Sequence, residues 1–247
     1  MRQSLLIFLI VISPSLVLAD EPQNKPFAVI ELFSSEGCSS CPPADYLVSK
    51  LAAWARQNNE PIYPLVFHVD YWNHLGWRDV FSSKAFTQRQ AAYARIFKDQ
   101  GVYTPEMIVN GNDAFVGSDQ KQLQKDLDRE LSMPGSVTLQ ASLIKQSDQI
   151  IVKYKAQGFS KDDVINVAVV ERGLSTAVTA GENAGRTLHH DNVVREFQSK
   201  PLTENEGEIS VSLNKVTDPS QASFIIFVQD KQTMLIEAAQ QLDLLND

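Results

Sequence analysis

The only two cysteines of this chain stand together as Cys38-Ser39-Ser40-Cys41. The run before them, Phe27 to Phe33, is apolar apart from Glu31 and reads as a buried strand. From Pro42 onward Ala44, Leu47, Val48, Leu51, Ala52 and Ala55 recur at helical spacing. A Cys-x-x-Cys at a strand-to-helix junction sits at the positive end of a helix dipole, which favours thiolate over thiol. This pattern predicts a thiol–disulfide exchange site. Cys38, just ahead of the helix, is expected as the exposed nucleophile and Cys41, in its first turn, as the buried resolving thiol. A purely structural disulfide is the weaker reading. Closing so small a ring stabilises by about 2 kcal/mol, against nearly 5 for a loop of ~100 residues, and a chain of 247 residues can build a core without it.

The start of the chain sets the expected compartment. Met1-Arg2-Gln3-Ser4 precedes an apolar run from Leu5 to Ile12, and Val17 and Ala19 have the small side chains of a cleavage site. Residues 1–19 therefore read as a signal peptide cut after Ala19, and the mature protein as secreted or periplasmic, where a disulfide can persist. Residues 20–26 are polar and proline-bearing and read as a flexible arm. Loss of Arg2 with the leader takes the net charge from −8 to −9, which argues against binding to nucleic acid or anionic membrane. No later stretch approaches membrane-spanning length, so stable membrane insertion is not expected.

Periodicity divides the rest in two. Strands are expected over Phe27–Phe33, Ile62–Val69 and Glu106–Val109, the last followed by a tight Asn110-Gly111 turn and a return strand at Ala114–Val116. Helices are expected from Pro42 to about Gln57, from Ser82 as cap to about Lys98, and from Ser118 as cap through Leu131. That order, β-α-β-α-β-β-α, predicts an α/β thioredoxin-like domain over 27–132. Met133-Pro134-Gly135-Ser136 reads as a linker. Residues 137–247 alternate at period two in several runs and predict a smaller all-β, sandwich-like domain. The tail from Thr233 to Leu242 reads as a strand.

Several side chains are candidates beside the dithiol. Thr104-Pro105 heads an internal strand, where a cis X–Pro bond would present the backbone of Thr104 to a substrate. Glu31, seven residues before Cys38, is either a buried acid relaying a proton to Cys41 or a solvated edge residue. Glu36 reads as a solvated loop carboxylate. After the second strand come His68, Asp70, Tyr71, Trp72, His74 and Trp77. Trp72 and Trp77 are candidate walls of a substrate groove and His68 and Asp70 candidate proton carriers; the alternative is loop packing and a satisfied core histidine. The polar stretch Gly181 to Asp191, with Arg186, His189 and His190, reads as a solvated loop, because adjacent histidines on a strand point opposite ways.

Val29 to Asp45, with His68-Val69-Asp70-Tyr71-Trp72, Phe86-Thr87-Gln88-Arg89-Gln90, Tyr103-Thr104-Pro105 and Asp191 to Glu196, resembles a bacterial family of secreted, thioredoxin-like proteins of unassigned function. The resemblance implies an N-terminal Cys-x-x-Cys domain and a C-terminal β-rich domain, and it supplies no substrate. Cys38, Cys41 and Pro105 match the wider thioredoxin pattern; Gly37 stands where a tryptophan often precedes the first cysteine, which suits a narrow range of partners. The expected function is an exported thiol–disulfide oxidoreductase acting on protein or small-molecule disulfides through a redox-active Cys38/Cys41 pair, with no cofactor and no metal. Two rival readings remain: a soft-metal (copper) carrier using both cysteines and His68 or His74, and a non-catalytic binding module on the same scaffold.

Overall fold

The computed structural model describes residues 24–146 and 149–244. The expected signal peptide and most of the expected arm lie outside the described residues. The first half runs β1 (Ala28–Ser34), α1 (Pro42–Asn58), β2 (Ile62–His68), α2 (Lys84–Phe97), β3 (Glu106–Val109), β4 (Asp113–Val116) and α3 (Gln120–Glu130). Strands follow: β5 (Thr138–Gln146), β6 (Gln149–Gln157), β7 (Asp163–Glu171), β8 (Leu174–Ala177), β9 (Thr187–His190), β10 (Val193–Pro201), β11 (Glu206–Ser212), β12 (Ala222–Asp230) and β13 (Ile236–Asp243).

Local chemistry sets the helix ends. Pro42 and Pro43 open α1, where a missing N–H costs nothing, and Asn59 closes it in the left-handed region at φ 54°. The caps of α2 and α3 are Ser83 and Asp119, each one residue past the expected position; their side chains accept from Ala85 N and from Lys121 N and Gln122 N.

The expected fold class is overturned. The strands do not divide into an α/β domain and a separate small β domain. Eight of them form one mixed sheet in the order β13-β12-β7-β10-β2-β1-β3-β4, so four strands from the second half extend the sheet of the first. Only β5, β6 and β11 form a second, three-stranded sheet, and β8 and β9 pair with each other. The seam is short. Val193 of β10 pairs parallel with Val66 of β2, Val66 N donates to Asn192 O (2.9 Å), and the Asn192 side chain donates to Pro64 O (3.0 Å). The physical reason is the edge of β2. This strand is apolar on both faces, and without β10 it would present unpaired backbone groups along one side.

The cores follow from this continuity. One face of the eight-stranded sheet carries Val29, Phe33, Leu65, Phe67, Ala168, Val170, Ile225 and Phe227, packed with Phe86 and Tyr93 of α2. On the other face, Ile30, Leu32, Val66 and Met107 pack under α1 and α3. Further along that face, Ile165, Val167, Phe224 and Ile226 pack under Ile150, Val152 and Val211 of the three-stranded sheet. The sheet also curls. Although β3 and β13 are far apart in strand order, Ile236 N donates to Asn110 O (3.0 Å).

Glu31 belongs to the α2 face. Its carboxylate accepts from Arg89 Nε (2.5 Å) and NH2 (2.7 Å) and from the Tyr93 hydroxyl (2.5 Å). Arg89 NH2 also donates to Gln229 Oε1 of β12 (3.0 Å), and Gln229 Nε2 donates to the Tyr93 hydroxyl (2.9 Å). The guanidinium lies over the rings of Phe67, Tyr93, Phe197 and Phe227. A buried ion pair of this kind ties β1 and α2 to the second half.

The junction between halves predicts its own weak point. Gly111, at φ +73°, lies against the β12–β13 turn, and a Cβ there would come within 2.0 Å of Met234 O. Gly111→Ala is expected to destabilise by more than about 2 kcal/mol while unfolding stays a single transition by both far-ultraviolet circular dichroism and tryptophan fluorescence. Two separated transitions in the wild type would contradict the continuous sheet.

Candidate functional site

The chain leaves β1 at Ser34 and turns into α1 through the cysteine loop. Cys38 N donates to Ser35 O (3.1 Å), Cys41 N to Cys38 O (3.3 Å), and both Ala44 N and Asp45 N to Cys41 O. Cys41 is the N-cap of α1 and its side chain caps no backbone N–H; Pro42 and Pro43 carry none, so what the helix start offers the cysteine turn is the positive end of its dipole. Cys38 and Cys41 are joined as a disulfide, and Cys38 Sγ lies 3.4 Å from Ser40 Oγ. Ser39 and Ser40 are exposed, yet both cysteines are 0% exposed. The expectation of an exposed Cys38 is therefore corrected: the disulfide is covered, because parts of the chain distant in sequence close over the turn.

One cover is the loop after β2. Trp72 packs against Gly37, where a Cβ would approach the Trp72 Cβ to 3.0 Å. This explains why a glycine precedes Cys38. Trp72 Nε1 donates to Thr104 Oγ1 (2.8 Å), so this side chain bridges the cysteine turn and the Thr104-Pro105 segment, whose peptide bond is cis. Pro105 lies close to Ala44 in the first turn of α1, the two meeting with Leu32 around Gly117. Trp77 Nε1 donates to Glu36 Oε2 (2.8 Å).

The second cover is the β8–β9 arm, whose β9 packs against α1. Asn183 Nδ2 donates to Glu36 O and to Cys38 O, both at 2.9 Å, and Ser39 N donates to Glu182 Oε2 (3.0 Å). Asn183 is 0% exposed, so the reading of 181–191 as a solvated loop is corrected at Asn183 and at buried His190.

Beneath the turn lies a cluster of buried ionisable groups. His68 Nδ1 is 2.7 Å from Asp79 Oδ2, and Asp79 Oδ2 also accepts from Glu36 N (2.8 Å). Burial opposes a charge on His68, but the Asp79 carboxylate beside it, with Asp45 and Glu36, pushes its pKa up. Burial likewise opposes the Asp79 charge, and His68 with two backbone N–H groups overcomes it and holds that carboxyl low. His190 Nε2 is 3.5 Å from Glu36 Oε1, and its ring lies 5.0 Å from that of His68. Asp45, one turn beyond Cys41 on the same side of α1, is raised by burial against the opposing pull of His190 and His68. Glu36 Oε1, Asp45 Oδ1, His68 Nε2 and both His190 ring nitrogens make no hydrogen bond within the protein. Unpaired proton-carrying atoms thus occur on residues that flank or underlie the cysteine turn.

Other candidates fall elsewhere. Glu31 faces α2, across β1 from α1, and is consumed by Arg89 and Tyr93, so its expected relay to Cys41 is corrected. The Asp70 carboxylate accepts from Thr87 Oγ1 (2.6 Å) and fixes its loop to α2. His74 is exposed and its Nδ1 lies 2.7 Å from Tyr71 O. Among the described residues no three His, Cys, Asp or Glu side chains are grouped as metal ligands would be, so the copper-carrier reading finds no donor set there. Sequence reasoning missed Asp45, Asp79 and Glu106. Only Asp45 carried a signal, its position four residues after Cys41. Glu106 follows the cis-proline, and burial pushes its carboxyl up to about 7 although Gln90 Nε2 donates to it (2.6 Å).

A family model described as "Protein of unknown function (DUF1223)" matches residues 29–229. Among solved structures, the crystal structure of protein AGR_C_4864 from Agrobacterium tumefaciens is similar at 27% identity, with 90% of this chain and 96% of that chain covered and a TM-score of 0.67. A domain of the outer membrane lipoprotein Omp28 from Porphyromonas gingivalis is 12% identical over 44% of this chain and 88% of that one, with a TM-score of only 0.28. No curated protein matches.

Glu106 gives the site a pH signature. Its folded pKa lies above its unfolded value, so its contribution is fully favourable below about pH 4 and is lost as pH rises toward 7. Glu106→Gln is expected to raise Tm more at pH 8 than at pH 4. Equal Tm changes at the two pH values, measured by calorimetry, would refute this assignment.

Proposed function

The chain belongs to the DUF1223 family, and we propose that it is a thiol–disulfide oxidoreductase of exported proteins, working through Cys38 and Cys41. The observation that carries this reading is a disulfide at the N-terminus of α1 with a buried acid–imidazole cluster against it. A disulfide kept only for stability needs no such neighbours, and in so small a ring it adds little to a chain with three apolar cores.

Starting from the disulfide, a partner thiolate attacks Cys38 Sγ, forming a mixed disulfide and breaking the Cys38–Cys41 bond. The electron pair leaves on Cys41, where the positive end of the α1 dipole favours the thiolate. Asp45, held toward its protonated form by burial, is placed to supply the proton. The partner's second thiolate then attacks its own sulfur in the mixed disulfide and displaces Cys38 as a thiolate. Two electrons pass from the partner to the dithiol. In the reverse direction the Asp45 carboxylate accepts the Cys41 proton and Cys38 opens the partner's disulfide. Thr104, with the cis bond to Pro105, offers backbone to the partner, and Trp72 keeps that edge in register with Cys38.

Two variants test this. Cys41→Ser leaves the reduced Cys38 without a resolving thiol, so in the native compartment it is expected to accumulate adducts that reductant releases on non-reducing gels. Absence of adducts, with Cys38 alkylating like an ordinary thiol of pKa about 8.5, would remove the redox reading. Asp45→Asn removes a carboxyl whose folded pKa is raised, so stability above the ordinary Asp range is expected to hold or rise. Exchange with a model dithiol should slow at least about tenfold and lose one ionisation from its pH–rate profile. Lost stability with unchanged rates would make Asp45 structural.

A further inference from the structure

The exchange reading leaves a difficulty, since a partner cannot reach sulfurs that are fully covered. The β8–β9 arm is built differently from the rest of the molecule. Its two strands pair only with each other and belong to neither larger sheet. It is rooted at Gly173 (φ +70°) on one side and Asn192 (φ 55°) on the other, with Gly173 N donating to Asp191 Oδ1 (2.8 Å) across the base. Its base is anchored by buried His190, and buried Leu188 and Val178 lie farther out, where Val178 N donates to Arg186 O (2.9 Å) and Gly185 N to Val178 O (2.8 Å). From Gly181 to Thr187, by contrast, every residue except Asn183 is exposed.

The tip is therefore held to the cysteine turn chiefly by side-chain hydrogen bonds. Asn183 supplies two donors to the carbonyls of Glu36 and Cys38, while its own Oδ1 accepts from Arg186 NH1 (3.0 Å), which fixes which way the amide points. Glu182 accepts from Ser39 N. A donor on Glu36 O and Cys38 O and an acceptor on Ser39 N are groups that a polypeptide's own N–H and C=O can replace one by one.

We propose that the tip Gly181–Arg186 is a displaceable cap that occupies the binding place of a polypeptide partner beside Cys38. It withholds the disulfide from small thiols and admits a polypeptide whose backbone can replace Asn183 and Glu182. This inference rests on the exchange reading for its purpose, but the cap itself is testable with a reductant that needs no partner.

The experiment measures the rate at which the Cys38–Cys41 disulfide of the whole protein is reduced under excess dithiothreitol and, separately, excess glutathione. Aliquots are quenched with an alkylating agent and read by intact mass. Asn183→Ala loses two hydrogen bonds and is expected to react about tenfold faster, with a larger gain for glutathione than for the smaller reagent. Glu182→Ala, at an exposed position, removes the acceptor for Ser39 N, should give a smaller gain in the same direction and covers the case in which Asn183→Ala fails to fold. Hydrogen exchange at 179–187 should rise in both variants while β9 and α1 stay protected. Rates within twofold of wild type in a folded Asn183→Ala protein, or in Glu182→Ala if the first does not fold, would overturn the cap. If reduction accelerates but Cys41→Ser captures no partner, the cap stands and the oxidoreductase reading fails.

Discussion

Strand β2 is apolar on both faces and hydrogen-bonded on both edges, to β1 along seven residue pairs and to the Asn192–Val193 corner on the other side. An interior strand of this kind cannot close a domain by itself. Its second edge recruits β10, β10 recruits β7, and β7 recruits β12. Once the sheet is continuous, the connection from β7 to β10 has to run past the end of β2, beside the start of α1. That connection is the β8–β9 arm. The covering of the disulfide by residues about 145 positions away thus follows from how one strand satisfies its backbone.

The buried polar groups divide into two networks by the same geometry. On the α2 face, Glu31, Arg89, Tyr93 and Gln229 satisfy one another, and the guanidinium is enclosed by aromatic rings. Such a network fixes a geometry and has little capacity left to move a proton. Near the cysteine turn, Glu36, Asp45, His68 and His190 each keep a buried side-chain atom without a hydrogen bond. Buried polar atoms without partners cost about 1–3 kcal/mol each, a cost the fold would shed by apolar substitution if stability were the only demand. The contrast with the network around Arg89 is one of the observations on which the proposed exchange rests.

Much of the local structure was legible in the chain. Pro42-Pro43, the apolar spacing after them, the Asn110-Gly111 turn and the alternating runs beyond Val137 report helices, turns and strands through short-range chemistry. The pairing of β10 with β2 was not legible, because period-two alternation says which face a residue takes and nothing about which strand lies beside it. The same limit explains Glu31. Its distance from Cys38 suggested a proton relay, but alternation along β1 sends Glu31 to the face of Val29 and Phe33, opposite to Ile30 and Leu32 under α1. Asn183 and His190 were hidden for a different reason. They lie in a stretch whose composition is that of a solvated loop, and only the tertiary position of the arm buries them.

Burial and reactivity are reconciled by where the cover is weak. The sulfurs are closed in by Trp72, which is tied to Thr104, and by the arm tip, which is tied to the backbone of Glu36, Cys38 and Ser39. Trp72 is held in place by the close packing at Gly37, so yielding there would disturb the cysteine turn itself. Between Gly181 and Thr187 the tip buries only Asn183, with Gly181 close against Trp77, and the rest of its hold on the turn is hydrogen bonds that lifting exchanges for others of the same kind. Under the proposed cap, a partner that brings its own backbone donors and acceptors meets a smaller barrier there than a small thiol does. Selectivity in such a site comes from what must be displaced before the chemistry begins, and the reactivity of the sulfur need not be tuned to achieve it.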